Sequence, residues 1–258
     1  MLNIIVTMKV IVDPEMPFSI FKVDRENKKP LPAAGSPPVF SPFDENALEA
    51  ALKIKDRQPS HITVLCLGKT IPKSLAQKAM AAGADDVIAI EGPELDTPDY
   101  FTTAHYLAAA IEQIGQFDLI FTGRQGADWD AGMVWAGITE LLDIPCITLA
   151  RKASISGQVI IVERCLQDGI ETLEASMPVL VTFSNEGGDL RNISLAALMK
   201  VKKKQVTKLS VADFDFEKKP QVELRDLYLP DIGGTDCDMI SGSSPEEKGR
   251  NLAKQLFS

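Results

Sequence analysis

The sequence has few of the residues that build metal sites, disulfide frameworks or nucleophilic active sites. Its 258 residues include only two histidines, and we interpret His61 as a strand start and His105 as part of a helix. The four cysteines are far apart and form no Cys-x-x-Cys pair: Cys66, Cys146, Cys165 and Cys237. We therefore expect no metal site and no catalytic triad, and a reducing compartment, by default the cytoplasm.

Long apolar runs and excess positive charge are also missing. No apolar run approaches the roughly 20 residues that span a bilayer, and residues 1–12 lack the basic and cleavage regions of a signal peptide. The formal net charge of -9 argues against nonspecific binding to polyanions. We expect neither a nucleic-acid partner nor direct membrane insertion.

Strand-like and helix-like segments alternate along the first half of the chain. The strand-like runs are "LNIIVTMKVIV", "SHITVLCLG", "DDVIAI" and "FDLIFTG", and the apolar-periodic helical segments are 44–57, 72–82 and 97–114. Such β/α alternation predicts an α/β fold with a doubly wound, mostly parallel sheet.

The pattern changes after Pro145. "QVIIVERCL" and "ETLEAS" flank Asp168 and Gly169, a turn signal that predicts an antiparallel hairpin, and "PVLVTF" predicts a further buried strand. From Val206 the apolar periodicity fades until a helix predicted to begin at Pro245, behind the cap candidates Ser243 and Ser244. We therefore divide the chain into an α/β domain, 1–205, and a C-terminal arm, 206–258.

The segment "GRQGADWDAGMV", residues 123–134, which we call the glycine loop, follows the fourth strand-like run. Doubly wound sheets bind ligands at the carboxyl ends of their strands, and the loop's glycines, Arg124 and a helix predicted to begin near Ala131 suit a phosphate. The negative charges of Asp128 and Asp130 argue against a phosphate ligand. A purely structural reading is equally open, with Asp130 as helix cap and Trp129 covering the core.

Several known nucleotide signatures are absent. The sequence contains neither a Walker A pattern nor Gly-x-Gly-x-x-Gly. The spacing of Gly123 and Gly126 is similar to that of universal-stress-type ATP binders, but Gly137 comes one residue late and no hydroxyl residue follows it. A nucleotide-binding regulatory module of that type remains the alternative function.

Several segments together resemble the beta subunit of electron transfer flavoprotein. The most specific is "VERCLQDGIETLEASMPVLVT", which departs from the family signature only in having Gln167 where an acid is usual. "SPFDENALEAALKIKD" resembles the segment that opens the family's first helix, with Ser41 replacing asparagine. "AMAAGADDVIAI" and "LAALMKVKKK" also match, in the right order.

The resemblance implies an adenine nucleotide alpha hydrolase-like fold and a heterodimer with an FAD-containing alpha subunit, on which the arm packs. The pair would carry electrons between an acyl-CoA or similar flavin dehydrogenase and an acceptor. The resemblance implies that this chain is a noncatalytic or half-catalytic subunit, with redox activity only as part of the heterodimer. Phe43 would lie near the partner's flavin, and Leu195, beside the basic run 200–204, would dock into the dehydrogenase. The implied cofactor residues are Thr7, Lys9, Ser41, Pro42, Phe43, Asp44, Cys66, Leu67, Gly68, Gly123, Arg124, Gln125, Gly126, Ala127, Asp128, Asp130, Ala131, Gly132, Met133 and Val134.

The resemblance leaves two occupants for this pocket: AMP, or in the electron-bifurcating branch a second FAD. The chain keeps the Asp-x-Asp and the valine of the bifurcating branch but lacks its glycine, threonine and glutamine. A lone AMP phosphate benefits from a hydroxyl donor where Val134 stands, whereas a diphosphate needs room. We therefore favour FAD over AMP as the occupant. A second FAD would also allow NADH-dependent, flavin-based electron bifurcation.

Overall fold

The computed structural model describes residues 1–31, 35–215, 220–230 and 237–257. The segment 25–40, whose prolines predict a surface crossing, and the C-terminal arm lie partly outside these residues. Thirteen strands are described: β1 (Leu2–Met8), β2 (Val10–Ile11), β3 (Lys22–Asp24), β4 (Lys29–Leu31), β5 (Val39–Phe40), β6 (Ser60–Gly68), β7 (Asp86–Glu91), β8 (Leu119–Gly123), β9 (Cys146–Ser156), β10 (Val159–Leu166), β11 (Gly169–Ser176), β12 (Val179–Phe183) and β13 (Thr207–Ser210). The α-helices are α1 (Pro42–Lys55), α2 (Lys73–Ala82), α3 (Tyr100–Ile114), α4 (Val134–Leu142), α5 (Leu195–Val201) and α6 (Pro245–Leu256).

Nine strands form one sheet in the order β11-β10-β9-β12-β8-β1-β6-β7-β13. From β9 to β13 every neighbouring pair is parallel, while β10 runs antiparallel to both β9 and β11. The predicted parallel sheet and hairpin are therefore confirmed. β8 and β12 are buried along their full lengths, because helices cover both faces of the sheet.

Two apolar clusters fill the space between the sheet and its helices. One joins α1 and α2 to alternate residues of β1, including Ile4 and Val6, and the other joins α3 and α4 to Ile5. Because alternate side chains of a strand point to opposite faces, this division shows a doubly wound sheet. The fold class expected from the sequence is confirmed.

The predicted helices end where expected, within a few residues. Asp99 caps α3 by accepting a hydrogen bond from the Thr102 N–H at 2.8 Å, so this helix begins at Tyr100 rather than at residue 97. Ser244 caps α6 in the same way, as the sequence predicted.

The segment after residue 205 is divided between the main sheet and a more exposed stretch. β13 pairs in parallel with β7, so residues 207–210 lie in the sheet and beyond the domain boundary that we placed at residue 205. Further on, Arg25 pairs with Asp226 at 2.7 Å, and Lys28 donates to the Leu224 carbonyl at 2.6 Å. The described stretch 220–230 thus lies against the β3–β4 hairpin of its own chain.

Candidate functional site

The predicted site lies where the order of the parallel strands reverses. β1 has β6 on one side and β8 on the other, so the connections that leave β1 and β8 diverge and open a crevice at their carboxyl ends. Thr7 and Lys9 lie at the end of β1, and Gly123 ends β8. Cys66, Leu67 and Gly68 end β6, whose Cys66 is in register with Met8. We call this region the strand-end cleft.

The first turn of α1 ties the two sides of the cleft together. Ser41 donates its N–H to the Lys9 carbonyl at 2.9 Å, and its buried hydroxyl accepts the Ala127 N–H at 3.3 Å. The Asp44 carboxylate accepts the Lys9 N–H at 2.7 Å and the Gly123 N–H at 3.0 Å. Pro42, the first residue of α1, completes a turn that fixes the glycine loop to β1.

Two glycines permit this close approach. A Cβ at Gly123 would lie 2.6 Å from Asp44 Oδ1 and 2.8 Å from the Phe43 backbone carbon, which are distances that real Cβ atoms do not tolerate. At Gly126 it would lie 2.8 Å from Asp128 Oδ1. The backbone contact makes hydrogen necessary at Gly123, whereas at Gly126 a side chain would require the Asp128 carboxylate to move.

Lys9 neutralises the negative charge that Asp128 brings to the glycine loop. Its Nζ lies 2.9 Å from Asp128 Oδ1 and 2.8 Å from Oδ2, and Asp128 Oδ1 also accepts the Trp129 N–H at 3.0 Å. The Lys9 side chain is 46% exposed and that of Asp128 is 20% exposed, so both can still reach a ligand. Sequence reasoning placed both residues in the site but did not foresee the ion pair.

Arg124 is held by its backbone and by an aromatic ring. Its N–H donates to the Phe183 carbonyl at 2.9 Å, and its own carbonyl accepts the Trp135 Nε1–H at 3.2 Å. The guanidinium carbon lies 4.6 Å from the centre of the Phe43 ring, a cation–π contact. Its Nε is buried and has no hydrogen-bond partner among the described residues. No pattern in the sequence had pointed to Phe183 or Trp135.

The end of the glycine loop differs from the prediction. α4 begins at Val134 rather than near Ala131, and Met133 precedes it without a side-chain cap. Asp130 is not the cap: its φ is 50° and it accepts a hydrogen bond from Gln125 Nε2 at 2.7 Å. With Gly132 also at a positive φ of 60°, the chain is bent out of helical geometry until Met133. Trp129 is 46% exposed and so does not cover the core.

Burial shifts the pKa values of two groups at the floor of the cleft, the Asp44 carboxyl and the Cys66 thiol. Burial raises the pKa of Asp44 to about 7, although the N–H bonds from Lys9 and Gly123 and the positive charge of Lys9 oppose the shift. Burial also raises the pKa of the Cys66 thiol, and the nearby Asp44 adds to the effect. Cys66 is therefore a neutral packing residue at physiological pH rather than a nucleophile.

Leu195 lies on a different part of the surface. It begins α5, which packs against α2, and Ser194 caps this helix by accepting the Ala197 N–H at 3.1 Å. Leu195 is 75% exposed and Met199 is 61% exposed. The segment is therefore a short helix whose apolar side chains are available to a partner.

Two cavities lie away from the cleft and contain none of the predicted site residues. One, of about 350 Å³, is lined by α1 and β9, and the other, of about 420 Å³, lies near the amino ends of β1 and β6. Across the described ranges, no group of three or more His, Cys, Asp or Glu side chains could hold a metal ion. Nor does any helix in those ranges have the length and apolar character needed to cross a membrane.

Comparisons with known proteins identify the family of the chain. The electron transfer flavoprotein domain family matches residues 33–214. The chain is 35% identical over 244 residues to an electron transfer flavoprotein subunit beta of Thermoanaerobacterium thermosaccharolyticum, covering 95% of this chain and 88% of that one.

Two further relatives belong to named reductase systems. One is the caffeyl-CoA reductase-Etf complex subunit CarD of Acetobacterium woodii, which is 30% identical, with 86% of this chain and 87% of the relative covered. The other is the acryloyl-CoA reductase electron transfer subunit gamma of Anaerotignum propionicum, which is 31% identical, with 84% and 80% covered. By its matched domain and its nearly full-length similarity to subunits of that name, the chain belongs to the electron transfer flavoprotein family, among the beta subunits.

Proposed function

We propose that this chain is the beta subunit of a heterodimeric electron carrier and that its strand-end cleft binds the adenosine diphosphate part of FAD. The observation that carries the proposal is the convergence of Lys9, the first turn of α1 and the glycine loop at the reversal point of the sheet. Adenine nucleotides bind at such points because helix N-termini and free N–H groups there stabilise phosphate.

The residues of the cleft suit a phosphate-containing ligand. Gly123 and Gly126 let the ligand approach the backbone, and the first turn of α4 offers N–H groups ahead of Gly137, whose N–H bonds the Met133 carbonyl. The buried Nε of Arg124 has a hydrogen-bonding capacity that the described residues leave unused, and a phosphate oxygen would satisfy it. Bound FAD would supply the redox chemistry, while this chain binds and orients it.

Val134 favours FAD over AMP. It is the first residue of α4 and packs partly buried against the cluster formed by α3 and α4, so it offers no hydroxyl donor to a terminal phosphate. In FAD the phosphate chain continues past Val134 toward the flavin, so no terminal phosphate needs a hydroxyl donor there. In AMP, the competing occupant, the terminal phosphate would lie at this position.

The proposed alpha subunit would cover the apolar side chains of the arm. In α6, Leu252 and Leu256 are 43% and 67% exposed and lie one turn apart, and Phe257 is 88% exposed. Soluble proteins rarely leave contiguous apolar side chains exposed unless a partner covers them, so this stripe suits an interface with the alpha subunit. The four free cysteines fit an assembly in the reducing cytoplasm.

For the electron-exchanging partner we propose an acyl-CoA or similar flavin dehydrogenase. Two relatives carry the names of CoA-ester reductase systems, which supports this class. Leu195 would act as the docking anchor, because it is exposed on a capped and therefore ordered helix next to Met199.

The deciding experiment is a count of nucleotides in the purified heterodimer. We expect two flavins for each heterodimer and no AMP after denaturation and chromatography of the released ligands. One flavin with an equivalent of AMP would reject FAD in this chain but keep the electron-carrier function. A complex without visible flavin absorption that binds ATP would instead favour the regulatory module.

A further inference from the structure

A row of polar side chains follows one face of α1. Its members, spaced by three or four residues as one face of a helix requires, are Asn46, Glu49, Lys53 and Asp56. The apolar residues of α1 pack into the core against the sheet, so this polar row faces outward. An outward-facing carboxylate is normally exposed, yet the Glu49 side chain is only 7% exposed. Another part of the fold therefore covers it.

The cover is the segment 187–191, which we call the strap and which leads from the end of β12 towards α5. Asn46 donates a hydrogen bond from Nδ2 to the Gly188 carbonyl at 2.8 Å, and Lys53 donates one from Nζ to the Gly187 carbonyl at 2.9 Å. The polar row thus holds the backbone that connects the sheet to the proposed docking helix.

Arg191, the last residue of the strap, makes the strongest of these attachments. Its backbone N–H and its Nε donate to Glu49 Oε2 at 2.9 and 3.0 Å, and its Nη2 donates to Glu49 Oε1 at 3.0 Å. Its Nη1 and Nη2 also donate to the two oxygens of Asp56, at 3.2 and 2.8 Å. Such paired bonds to carboxylates fix direction as well as position, and the ammonium group of a lysine cannot reproduce them.

The clamp at Arg191 lies directly before α5. Leu190 and Ile193, on either side of it, pack against the apolar cluster of α1 and α2. At the other end of α5, Gln77 on α2 donates to the Lys202 carbonyl at 3.1 Å. A helix of seven residues is too short to be stable alone in water, so its orientation depends on these attachments. The strap is the attachment at the end where Leu195 stands.

We propose that Arg191 is a positioning residue for docking: by clamping the strap to Glu49 and Asp56 it sets the direction of the first turn of α5, and so the presentation of Leu195. The inference rests on the proposed docking role of Leu195. An anchor that is already held in place loses less conformational freedom when it binds. Loosening the clamp should therefore weaken association with the dehydrogenase more than it slows electron transfer within the complex.

The test measures electron transfer from an acyl-CoA dehydrogenase, reduced by butyryl-CoA, to the intact heterodimer, with a dye that keeps the heterodimer oxidised. Varying the heterodimer concentration gives its KM and kcat. Arg191→Lys keeps the charge but cannot pair with both carboxylates, so KM should rise about threefold while kcat and nucleotide content stay as in the parent. The matched control is Arg151→Lys, because the Arg151 guanidinium makes its two bonds to Glu163, at 3.1 and 2.9 Å. This control should keep the KM of the parent.

A double variant shows whether Arg191 acts through Leu195. Leu195→Ala alone should raise KM about tenfold, as expected for an exposed anchor. Adding Arg191→Lys should raise it no further, because a clamp that acts only through Leu195 has nothing to position once that side chain is gone. A loss of stability unrelated to docking would not produce this pattern.

Two further measurements do not depend on the lysine variant alone or on the dehydrogenase. Lys53→Met removes one bond to the strap and leaves the Glu49 pair in place, so it should raise KM in the same way but by less. Amide hydrogen exchange of residues 195–201 in the heterodimer should be faster in both Arg191→Lys and Lys53→Met than in the parent. Unchanged exchange in both variants would overturn the inference.

The kinetic outcomes separate the inference from the proposed function. If Leu195→Ala raises KM while Arg191→Lys and Lys53→Met keep the parent value, the positioning role is wrong and docking through Leu195 stands. Additive effects of Arg191→Lys and Leu195→Ala would also overturn it, because Arg191 would then act elsewhere. If Leu195→Ala keeps the parent KM, the proposed docking helix is wrong and the inference fails with it.

Discussion

Replacing Gly123 with alanine should be among the most damaging single changes at the cleft. The new Cβ would meet Asp44 Oδ1 at 2.6 Å and the Phe43 backbone at 2.8 Å, and neither neighbour is the free end of a flexible side chain. Relief of the overlap must move α1 away from β8. That movement breaks the hydrogen bond from the Gly123 N–H to the buried carboxyl of Asp44.

The expected cost follows from these two effects. Overpacking of a tight site costs about 1–3 kcal/mol, and loss of a hydrogen bond to a charged buried group costs about 1.5–3 kcal/mol. The effects overlap, since relief of one worsens the other, so we expect a loss of about 2–5 kcal/mol in the free energy of unfolding. That is a large part of the total stability of a typical protein of this size.

Urea unfolding of the full chain, followed by circular dichroism, measures this loss as a lower midpoint with an unchanged slope. Gly169→Ala is the matched control, because a Cβ at Gly169 would meet nothing within 4 Å, and it should change stability by less than about 0.5 kcal/mol. A Gly123→Ala midpoint equal to that of the parent would refute the tight contact between α1 and β8.

Three further predictions concern other residues. Leu195→Ala should keep nucleotide content and slow electron exchange with the dehydrogenase, because it removes an exposed anchor; equal rates in stopped-flow mixing would count against docking. Arg191→Ala should lower the free energy of unfolding by about 3–5 kcal/mol, because it leaves the Glu49 carboxylate, which is 7% exposed, without its ion-pair partner. Arg151→Ala removes an exposed ion pair and should lower it by less than about 1 kcal/mol. Similar urea midpoints for the two variants would contradict this. Burial raises the pKa of Asp44 from 3.8 to about 7, so the contribution of this group to stability is full below pH 4 and is lost as the pH rises through 7. Between these values the free energy of unfolding of the parent should fall, relative to that of Asp44→Asn, by up to about 1.4 kcal/mol per pH unit. Parallel pH profiles for the two proteins would contradict this.

The sequence predicted the parallel core well because buried strands and amphipathic helices leave strong local patterns. It predicted the hairpin equally well, since Asp168 and Gly169 form a turn whose signal is local. β13 escaped prediction, because "TKLS" is short and half polar and becomes a strand only through pairing with β7. The start of α4 was misplaced because the positive φ angles of Asp130 and Gly132 arise from contacts within the folded loop.

The sequence predicted which residues lie together at the strand-end cleft, but it did not predict the interactions among them. The regularity of doubly wound sheets places Lys9, Asp44 and the glycine loop at one edge of the sheet. Which carboxylate binds which donor depends on contacts between residues far apart in sequence, such as Lys9 and Asp128, with a separation of 119. The two N–H donors of Asp44, on Lys9 and Gly123, therefore had no signal in the sequence.

The two outer strands of the sheet bear on how the protein behaves at high concentration. Among the described residues, β11 and β13 end the sheet, and an outer strand can pair with another chain through its unused N–H and C=O groups. β11 carries Glu171 and Glu174, and β13 carries Lys208, which pairs with Glu91 at 2.7 Å. Charges at these positions oppose pairing of an outer strand with that of another chain, so mutations that neutralise them risk aggregation of an otherwise well-folded chain.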